Sequence, residues 1–443
     1  MCDTIFAPIT NIGPSAITVF RFSGKESGKI LKLLIKEKKL PLERKLVLKN
    51  IYVPYKKQIL DKSLICWMPN PNSYTGEDSF ELHSHGGIAT SQAFFSVLSK
   101  IKGLRVAEAG EFSKRALING KIDLIKAEAI NEIIISETEK QRNLSIKQLN
   151  RGLSIPINLW KEQIVNTLAK IEAIIDFSDE DGVPEQLNIK RDLENIFNQI
   201  KKVLKEGKKY DLIKHGTKIT FTGPPNSGKS SLFNCIIKKE KSIVTKIPGT
   251  TRDVIENKFN LKGYPVIFFD TAGIRNTKSA IEKEGIKKAL TAIEKADIVL
   301  KIIDITRTKK ESKNQRKENE WQIYNKIDKI KVNKPNKSTE KENSFYVSAK
   351  TGKGVSDLLK KIHDHILKNT KVIEKANFFY TNARQKNDLK KALSNISLAI
   401  EAKDEEIIAE YLRATIYNLE RILGKVDVED VLGNIFSNFC IGK

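Results

Sequence analysis

The sequence predicts a multidomain α+β protein: an N-terminal α/β domain, a central helical domain, and a P-loop α/β domain inserted into the helical one. Three observations predict it. The Gly-rich stretch GPPNSGKSSL at 223–232 sits near the middle of a 443-residue chain. Apolar residues recur at helix spacing on both sides of that region, as in Ile164, Leu168, Ile171 and Ile175 before it and Leu412, Ile416, Leu419 and Ile422 after it. Between them, Ile219–Phe221, Val266–Phe269 and Ile298–Ile303 are short apolar runs of the kind that fill a buried parallel sheet. A helical domain interrupted at an exposed connection is the economical arrangement, because insertions succeed where the flanking ends lie close at the surface.

Taken in order, residues 1–117 form the first domain. Its β-type runs Ile17–Arg21, Leu64–Trp67 and Ser79–His83 alternate with helical stretches and Gly/Pro turns. Residues 118–213 form the first part of the helical domain, beginning with the spacing Ala127, Ile130, Ile133, Ile134. Residues 214–369 form the insert. Residues 370–443 return to helix period through Leu389, Leu393, Ile396 and Ile400. The segment from Thr306 to Lys341 is rich in Lys, Asn, Glu and Ser apart from Trp321–Tyr324, and reads as solvated, partly mobile surface.

Length alone favours two or three domains with full cores. Lys and Arg total 78 against 54 Asp and Glu, a formal charge of +24. That excess fits a polyanionic partner such as nucleic acid, and equally a Lys-biased composition. The four cysteines, Cys2, Cys66, Cys235 and Cys440, are far apart and read as free thiols of a reducing compartment. The start MCDTIFAPIT has no charged region followed by an apolar core, and no apolar run approaches a membrane span, so a soluble cytoplasmic protein is expected.

Gly223, Gly228, Lys229 and Ser230 satisfy GxxxxGK[ST] between a strand-like and a helical run. Such a loop curls backbone N–H groups around phosphates, with Asn226, Ser227, Ser231 and the helix start contributing, Lys229 reaching the terminal phosphates and Ser230 ligating Mg2+. Downstream, Asp270-Thr271-Ala272-Gly273 closes an apolar run and offers a carboxylate for magnesium and an amide for a γ-phosphate. Asn325-Lys326-Ile327-Asp328 and Ser348-Ala349-Lys350 follow in the order of a guanine site. The Asp328 carboxylate accepts from guanine N1–H and the exocyclic amine, donors that adenine lacks, so the nucleotide is GTP. Thr251, between the loop and DTAG, is placed to complete the magnesium shell. Ras-like proteins carry a water-orienting glutamine directly after the DTAG glycine. Here that position is Ile274, which cannot polarise water, and the residues alone leave Arg252, Arg275, Glu282 and Glu284 as candidates.

These motifs, with IPGTTRD at 247–253, DTAGIR at 270–275, NSYTGED at 72–78, GEFSKR at 110–115, NGKIDL at 119–124 and the terminal FCIGK at 439–443, resemble the MnmE (TrmE) family of tRNA-modification GTPases from Asp3 to Lys443. The resemblance implies a folate-binding, dimerising N-terminal domain, a helical domain and an inserted Ras-like G domain. It implies a homodimer that works with a MnmG-type flavoprotein in a heterotetramer. The modification is a carboxymethylaminomethyl or aminomethyl group at C5 of the wobble uridine of certain tRNAs, and the one-carbon donor is a 5-formyltetrahydrofolate-type folate. By matching positions, folate falls to Arg21, Glu81, Lys121 and Lys443. Potassium falls to Asn226 and to the loop residues Thr245, Ile247 and Thr250, with Lys246, Pro248 and Gly249 completing the nucleotide loop. Glu282, twelve positions after Asp270, matches the family's water-orienting glutamate. A covalent role has been suggested for the cysteine matching Cys440, which equally reads as a packed thiol.

Several features depart from the family. Glu318–Tyr324 is a poorer buried strand than the usual apolar run and predicts a looser edge of the G domain. His83 and Ser84 stand where other residues are common. His83 and His85 lack a third ligand and read as hydrogen-bonding or packing groups rather than metal ligands. The alternative, a ribosome-assembly GTPase of Era or Der type, shares the G motifs but leaves YTGED, NGKIDL and CIGK unexplained.

Overall fold

The computed structural model describes residues 3–176, 187–207, 210–239, 256–269, 296–307, 319–330, 343–375, 380, 382–426, 436, 439 and 442. The chain divides into two compact units: 1–131 with 154–184 and 401–443, and 132–153 with 185–400. Helices assigned from sequence to a single helical domain contribute to both.

The first unit begins with β1 (Thr4–Pro8), β2 (Ile17–Ser23), α1 (Ser27–Ile35), β3 (Leu46–Tyr52), β4 (Ile59–Met68), β5 (Ser79–His85), α2 (Ile88–Leu98), β6 (Leu104–Val106) and α3 (Glu111–Ile118). Its sheet runs β3-β4-β5-β2-β1-β6, antiparallel except for the β1–β6 pair. Alternation along β2 sends Phe20 and Phe22 into the core, where Phe22 stacks on Phe80 with centroids 4.0 Å apart and Phe20 meets Phe94. Each such ring contributes roughly 1.5–3 kcal/mol by leaving water. α4 (Leu124–Ile135) follows.

Later in this unit, α6 (Ser154–Asp176), reached after α5 (Glu139–Arg151), packs against α12 (Glu405–Leu423). Asp404 caps α12, its carboxylate accepting from the amides of Glu406 and Ile407. Gly424 ends it with φ +78°, and a Cβ there would meet Leu124 at 2.8 Å, so the helix stops where only glycine fits.

In the second unit, α5, α7 (Leu187–Gly207) and α8 (Tyr210–Lys214) precede the second sheet. α5 starts with a full capping box, Thr138 with Gln141. The strands of that sheet are β7 (Thr217–Thr222), β8 (Glu256–Leu261), β9 (Tyr264–Phe269), β10 (Ile298–Asp304), β11 (Glu320–Asn325) and β12 (Ser344–Tyr346). α9 (Lys229–Lys239) follows β7, and α10 (Val355–Lys375) and α11 (Ala383–Glu401) follow β12. Strand order is β12-β11-β10-β7-β9-β8, parallel except for the β8–β9 hairpin. Leaving β7, the chain goes to one side for β9 and later to the other for β10. The loop after β7 therefore opens at the switch point of the sheet, where α/β folds bind ligands.

The expectation of a loose sheet edge at Glu318–Tyr324 is corrected. β11 is an interior strand between β10 and β12, with Trp321 and Ile323 fully buried. Trp321 stacks on Phe345, and the intervening polar pair satisfies itself, Tyr324 donating to Gln322 at 2.9 Å. The strand's alternation supplies an apolar face that its composition conceals. Of the segment predicted to be solvated surface, 308–318 and 331–341 lie outside the described residues.

Candidate functional site

The loop between β7 and α9 takes its shape from three residues at positive φ: Gly223 at +135°, Asn226 at +63° and Gly228 at +93°. A Cβ on Gly223 would lie 2.3 Å from the Ile302 carbonyl oxygen of β10, and one on Gly228 would lie 2.2 Å from the Asn325 side chain. Both glycines are thus fixed by close approach as well as by conformation. Lys229 donates to the carbonyls of Gly223 and Pro224 at 3.0 and 2.9 Å, folding its ammonium over the loop. Ser230, in the first turn of α9, is exposed, and among the described residues the buried Ser227 hydroxyl has no hydrogen-bond partner. A buried orphan donor beside a ring of backbone amides fits a loop shaped around phosphate oxygens.

The residues of NKID and SAK close around this loop. Buried Asn325 donates to the Ser227 carbonyl at 3.0 Å and accepts from the amides of Lys326 and Ala349 at 2.8 and 3.0 Å. It pins three segments together. Ser348, fully buried, donates to Asp328 at 2.6 Å, and this bond first, then Lys350 and Lys329, hold the exposed Asp328 carboxyl below the usual range. Asp328 therefore stays ionised, an acceptor in the right state for two adjacent N–H donors. Lys326 sits at φ +70° and reaches back to the Asn226 carbonyl at 2.7 Å and to Asp304 at 2.6 Å.

Asp304 is the residue that sequence reasoning missed. It ends β10 nearly buried, 7% exposed. Burial raises its pKa, but the bonds from Lys326 and Thr306 outweigh burial and bring it to about 2. Its signal was present as a lone acid closing the run Ile298–Ile303. Among the other sequence-predicted residues, Thr245–Thr251, Asp270–Gly273 and Glu282 lie outside the described residues, as do Cys440 and Lys443.

In the first unit, Arg21 and Glu81 are register partners on β2 and β5, joined through Arg21 Nη2 at 2.8 Å and Nε at 3.1 Å. The guanidinium lies 5.1 Å from the Tyr74 ring centroid. The predicted folate charges at these two positions are thus already paired with each other. Lys121 lies apart from that pair's contacts, its side chain about Gly76, where a Cβ would meet Lys121 Cε at 3.0 Å. His83 is 3.4 Å from Glu81 and His85 is 2.8 Å from Asp61, so both act as hydrogen-bonding groups.

The motifs quoted separately from the sequence meet here. Tyr74 bonds Ser113 at 2.8 Å, Asn119 donates to the Thr75 carbonyl at 2.7 Å, and Glu77 accepts from Ser23 at 2.7 Å and from Arg115 at 3.0 Å. Arg115, 1% exposed, also holds Glu111 at 2.9 Å and the Asp3 carbonyl at 3.0 Å. Burial opposes the charge on Glu111, yet Arg105 and Arg115 hold its carboxyl below the usual range. The C-terminal residues reach this domain too. Phe436 abuts Gly110, Phe439 is buried with it in a cluster with Leu124, and Gly442 fits only because it lacks a Cβ, which would lie 2.2 Å from the Pro8 carbonyl oxygen.

Comparison with known proteins gives the same reading over the whole length. The family model for the GTP-binding protein TrmE N-terminus matches residues 4–121, and that for the MnmE helical domain matches 124–440. The chain belongs to the MnmE family. The tRNA modification GTPase MnmE of Pelagibacter ubique is 41% identical over 99% of this chain and 100% of its own. The MnmE protein of Rickettsia prowazekii is 37% identical over 100% of both. Among solved structures, the G domain of the T. maritima FeoB iron transporter covers 33% of this chain and 97% of its own at 24% identity. Its TM-score of 0.22 is too low to bear on the fold. Among the described residues, no helix is long and apolar enough to cross a membrane.

Proposed function

We propose that this protein, a tRNA modification GTPase of the MnmE family, is potassium-dependent. Working with a MnmG-type flavoprotein, it adds a carboxymethylaminomethyl or aminomethyl group at C5 of the wobble uridine in certain tRNAs, using a 5-formyltetrahydrofolate-type donor. The observation that carries this reading is the family match over the full chain, joined to a first unit in which YTGED, GEFSKR and NGKIDL form one hydrogen-bonded cluster. A GTPase that used its flanking regions only for assembly would have no need of that cluster.

In the nucleotide site, Asn226–Ser231 cradle the phosphates, Lys229 leaves its loop carbonyls for the terminal phosphates, and Asp328 reads guanine with Asn325, Lys326 and Ser348–Lys350 shaping the pocket. Thr245–Thr251 and Asp270–Gly273 supply the switch contacts. Ser230 and Thr251 would hold Mg2+, and Asn226, Thr245, Ile247 and Thr250 would hold K+. Exposed Asn226 keeps its side chain clear of the Lys326 bond, which takes only its backbone carbonyl. The cations supply positive charge against the phosphates, which Ile274 cannot. Glu282 orients the water.

Folate falls to Arg21, Glu81, Lys121 and Lys443. The support is the packing of Gly442 against Pro8, one strand position from Ala7, the register partner of Arg21. A homodimer through the first domain is supported by β3, a sheet edge that leaves Leu46 and Leu48 more than half exposed. The G domain at 214–369 is read as an insert between helical segments 118–213 and 370–443. Nucleoside analysis of tRNA from cells lacking the protein tests the reading, with loss of the wobble C5 group expected. Unchanged wobble uridines would sink it. Calorimetry should separately show 5-formyltetrahydrofolate binding that weakens when Cys440–Lys443 are deleted while GTP hydrolysis persists.

A further inference from the structure

The formal charge of +24 is not spread over the chain. The unit formed by 1–131, 154–184 and 401–443 contains 27 Lys and Arg and 27 Asp and Glu. From chain totals of 78 and 54, that leaves 51 basic and 27 acidic residues, and the whole excess of 24, in the unit formed by 132–153 and 185–400. Within that second unit, the described residues alone hold 31 basic and 16 acidic groups. A lysine bias acting on the whole composition would charge both units. One neutral unit beside one strongly basic unit calls for a local cause.

Part of the excess lies on two helices packed against each other, α7 and α10. α7 buries Leu193, Ile196, Ile200 and Val203, and exposes Lys190, Arg191, Lys201, Lys202 and Lys205 against Asp192 and Glu194, with Glu206 half-buried. α10 buries Leu358, Leu359, Ile362 and Ile366 and exposes Lys360, Lys361 and Lys368 beside Asp357 and Asp364. Among the described residues, Arg191, Lys202, Lys205, Lys360 and Lys361 make no ion pair. These charges face solvent without an internal electrostatic purpose.

We propose that the basic face of the second unit, centred on α7 and α10, holds the phosphate backbone of a structured RNA. This rests on the proposed function in taking that RNA to be the tRNA substrate. The chemistry selects RNA over an acidic protein. Lysines outnumber arginines 43 to 8 in this unit, and lysine is depleted from protein interfaces, whose anchors are aromatic residues and arginine. The large apolar side chains that the described part of this unit exposes are Ile134, Ile135 and Leu398, none of them aromatic. The ring on α7, Phe197, is half-buried with the Lys201 ammonium 5.5 Å from its centroid, so the face reads phosphates rather than unstacked bases, and binding is electrostatic, indifferent to base sequence and steeply salt-dependent.

The test measures tRNA binding to the full-length protein by fluorescence anisotropy across about 50–200 mM salt. A variant combining Lys201→Gln, Lys202→Gln, Lys360→Gln and Lys361→Gln should bind at least about tenfold more weakly, with a salt slope shallower by roughly 2 to 4. Its RNA-free GTP hydrolysis and thermal unfolding should not change. A control in the neutral unit, Lys38→Gln, Lys39→Gln, Lys56→Gln and Lys57→Gln, should behave as wild type. The proposal is overturned if wild type binds no tRNA, if the four-site variant keeps wild-type affinity and slope, or if the control loses as much. It is also overturned if the variant binds tRNA normally but loses a purified acidic protein partner, which would make the face a protein interface. Nucleoside analysis keeps the two readings apart: unchanged wobble uridines with a charge-dependent loss of RNA affinity would sink the modification reading alone.

Discussion

In the nucleotide loop, ten consecutive residues at 223–232 carry the proposed phosphate-binding groups and three residues at positive φ, whereas in the N-terminal cluster one arginine gathers partners from two distant segments and from its own helix. The loop is stabilised by what it lacks: no Cβ at Gly223 or Gly228, where one would strike β10 or Asn325. The cluster is stabilised by what it holds, since Arg115 is buried and matched by Glu77, Glu111 and Asp3. A site of the first kind fails by crowding and loses ligand. A site of the second kind fails by leaving charge unpaired and loses fold.

The largest effect should come from the second kind. Arg115→Leu removes the cation that neutralises Glu77 and that shares Glu111 with Arg105, and breaking a buried pair from one side costs about 3–5 kcal/mol. Urea denaturation should show that loss in the unit containing 1–131, while GTP turnover per folded molecule persists. A loss below about 1 kcal/mol would mean that water reaches the carboxylates and the cluster is not a closed one.

Gly228→Ala addresses the loop. At φ +93° the methyl is strained by about 1–3 kcal/mol and meets Asn325 at 2.2 Å, so it should displace the bond that ties Asn325 to Ser227. GTP affinity should fall by roughly ten- to a hundredfold, with little change in unfolding of the first unit. Unaltered GTP affinity by fluorescence titration would show that the Asn325 clasp is not needed for the loop's shape. Asp328→Asn should leave the fold intact and reduce GTP-over-ATP discrimination by at least about tenfold, because the amide offers one donor where guanine already presents donors. Retained discrimination in competition binding would remove Asp328 from base reading.

The same contrast decides what the sequence discloses. A contiguous motif flanked by a strand and a helix can be read locally, and 223–232 was legible as the loop and helix start that follow β7. The helical periods and the three apolar runs gave the two architectures for the same reason. The N-terminal cluster was visible only as separate strings, because Ser23, Thr75, Glu77, Ser113, Arg115 and Asn119 converge through sheet pairing that no local pattern encodes. Trp321–Tyr324 misled in the opposite direction: its polar residues looked like an edge, but Gln322 and Tyr324 satisfy each other inside the sheet. Asp304 escaped notice because its partner, Lys326, is 22 positions away and belongs to a motif with another role.

Asp304 and Lys326 belong to both classes at once, a buried pair inside the nucleotide loop's support, and their disruption should have the smallest effect. Lys326 also bonds the Asn226 carbonyl, so Lys326→Met frees the loop at one point and strands one carboxylate. In wild type the folded pKa of Asp304 is about 2, below the ordinary aspartate value of 3.8. A group held low stabilises the folded state above its unfolded pKa, and that contribution fades as pH falls from about 4 towards 2. In Lys326→Met the ammonium is gone while the two Thr306 bonds still oppose burial, so the carboxyl moves up from its wild-type position. The variant should be less stable than wild type at pH 7 by about 1–1.5 kcal/mol, and the gap should close on acidification as wild type loses its advantage. Urea titrations of both proteins between pH 7 and pH 3 read this directly. A gap constant with pH would mean that Lys326 acts through the Asn226 carbonyl alone, leaving Asp304 a bystander at the end of β10.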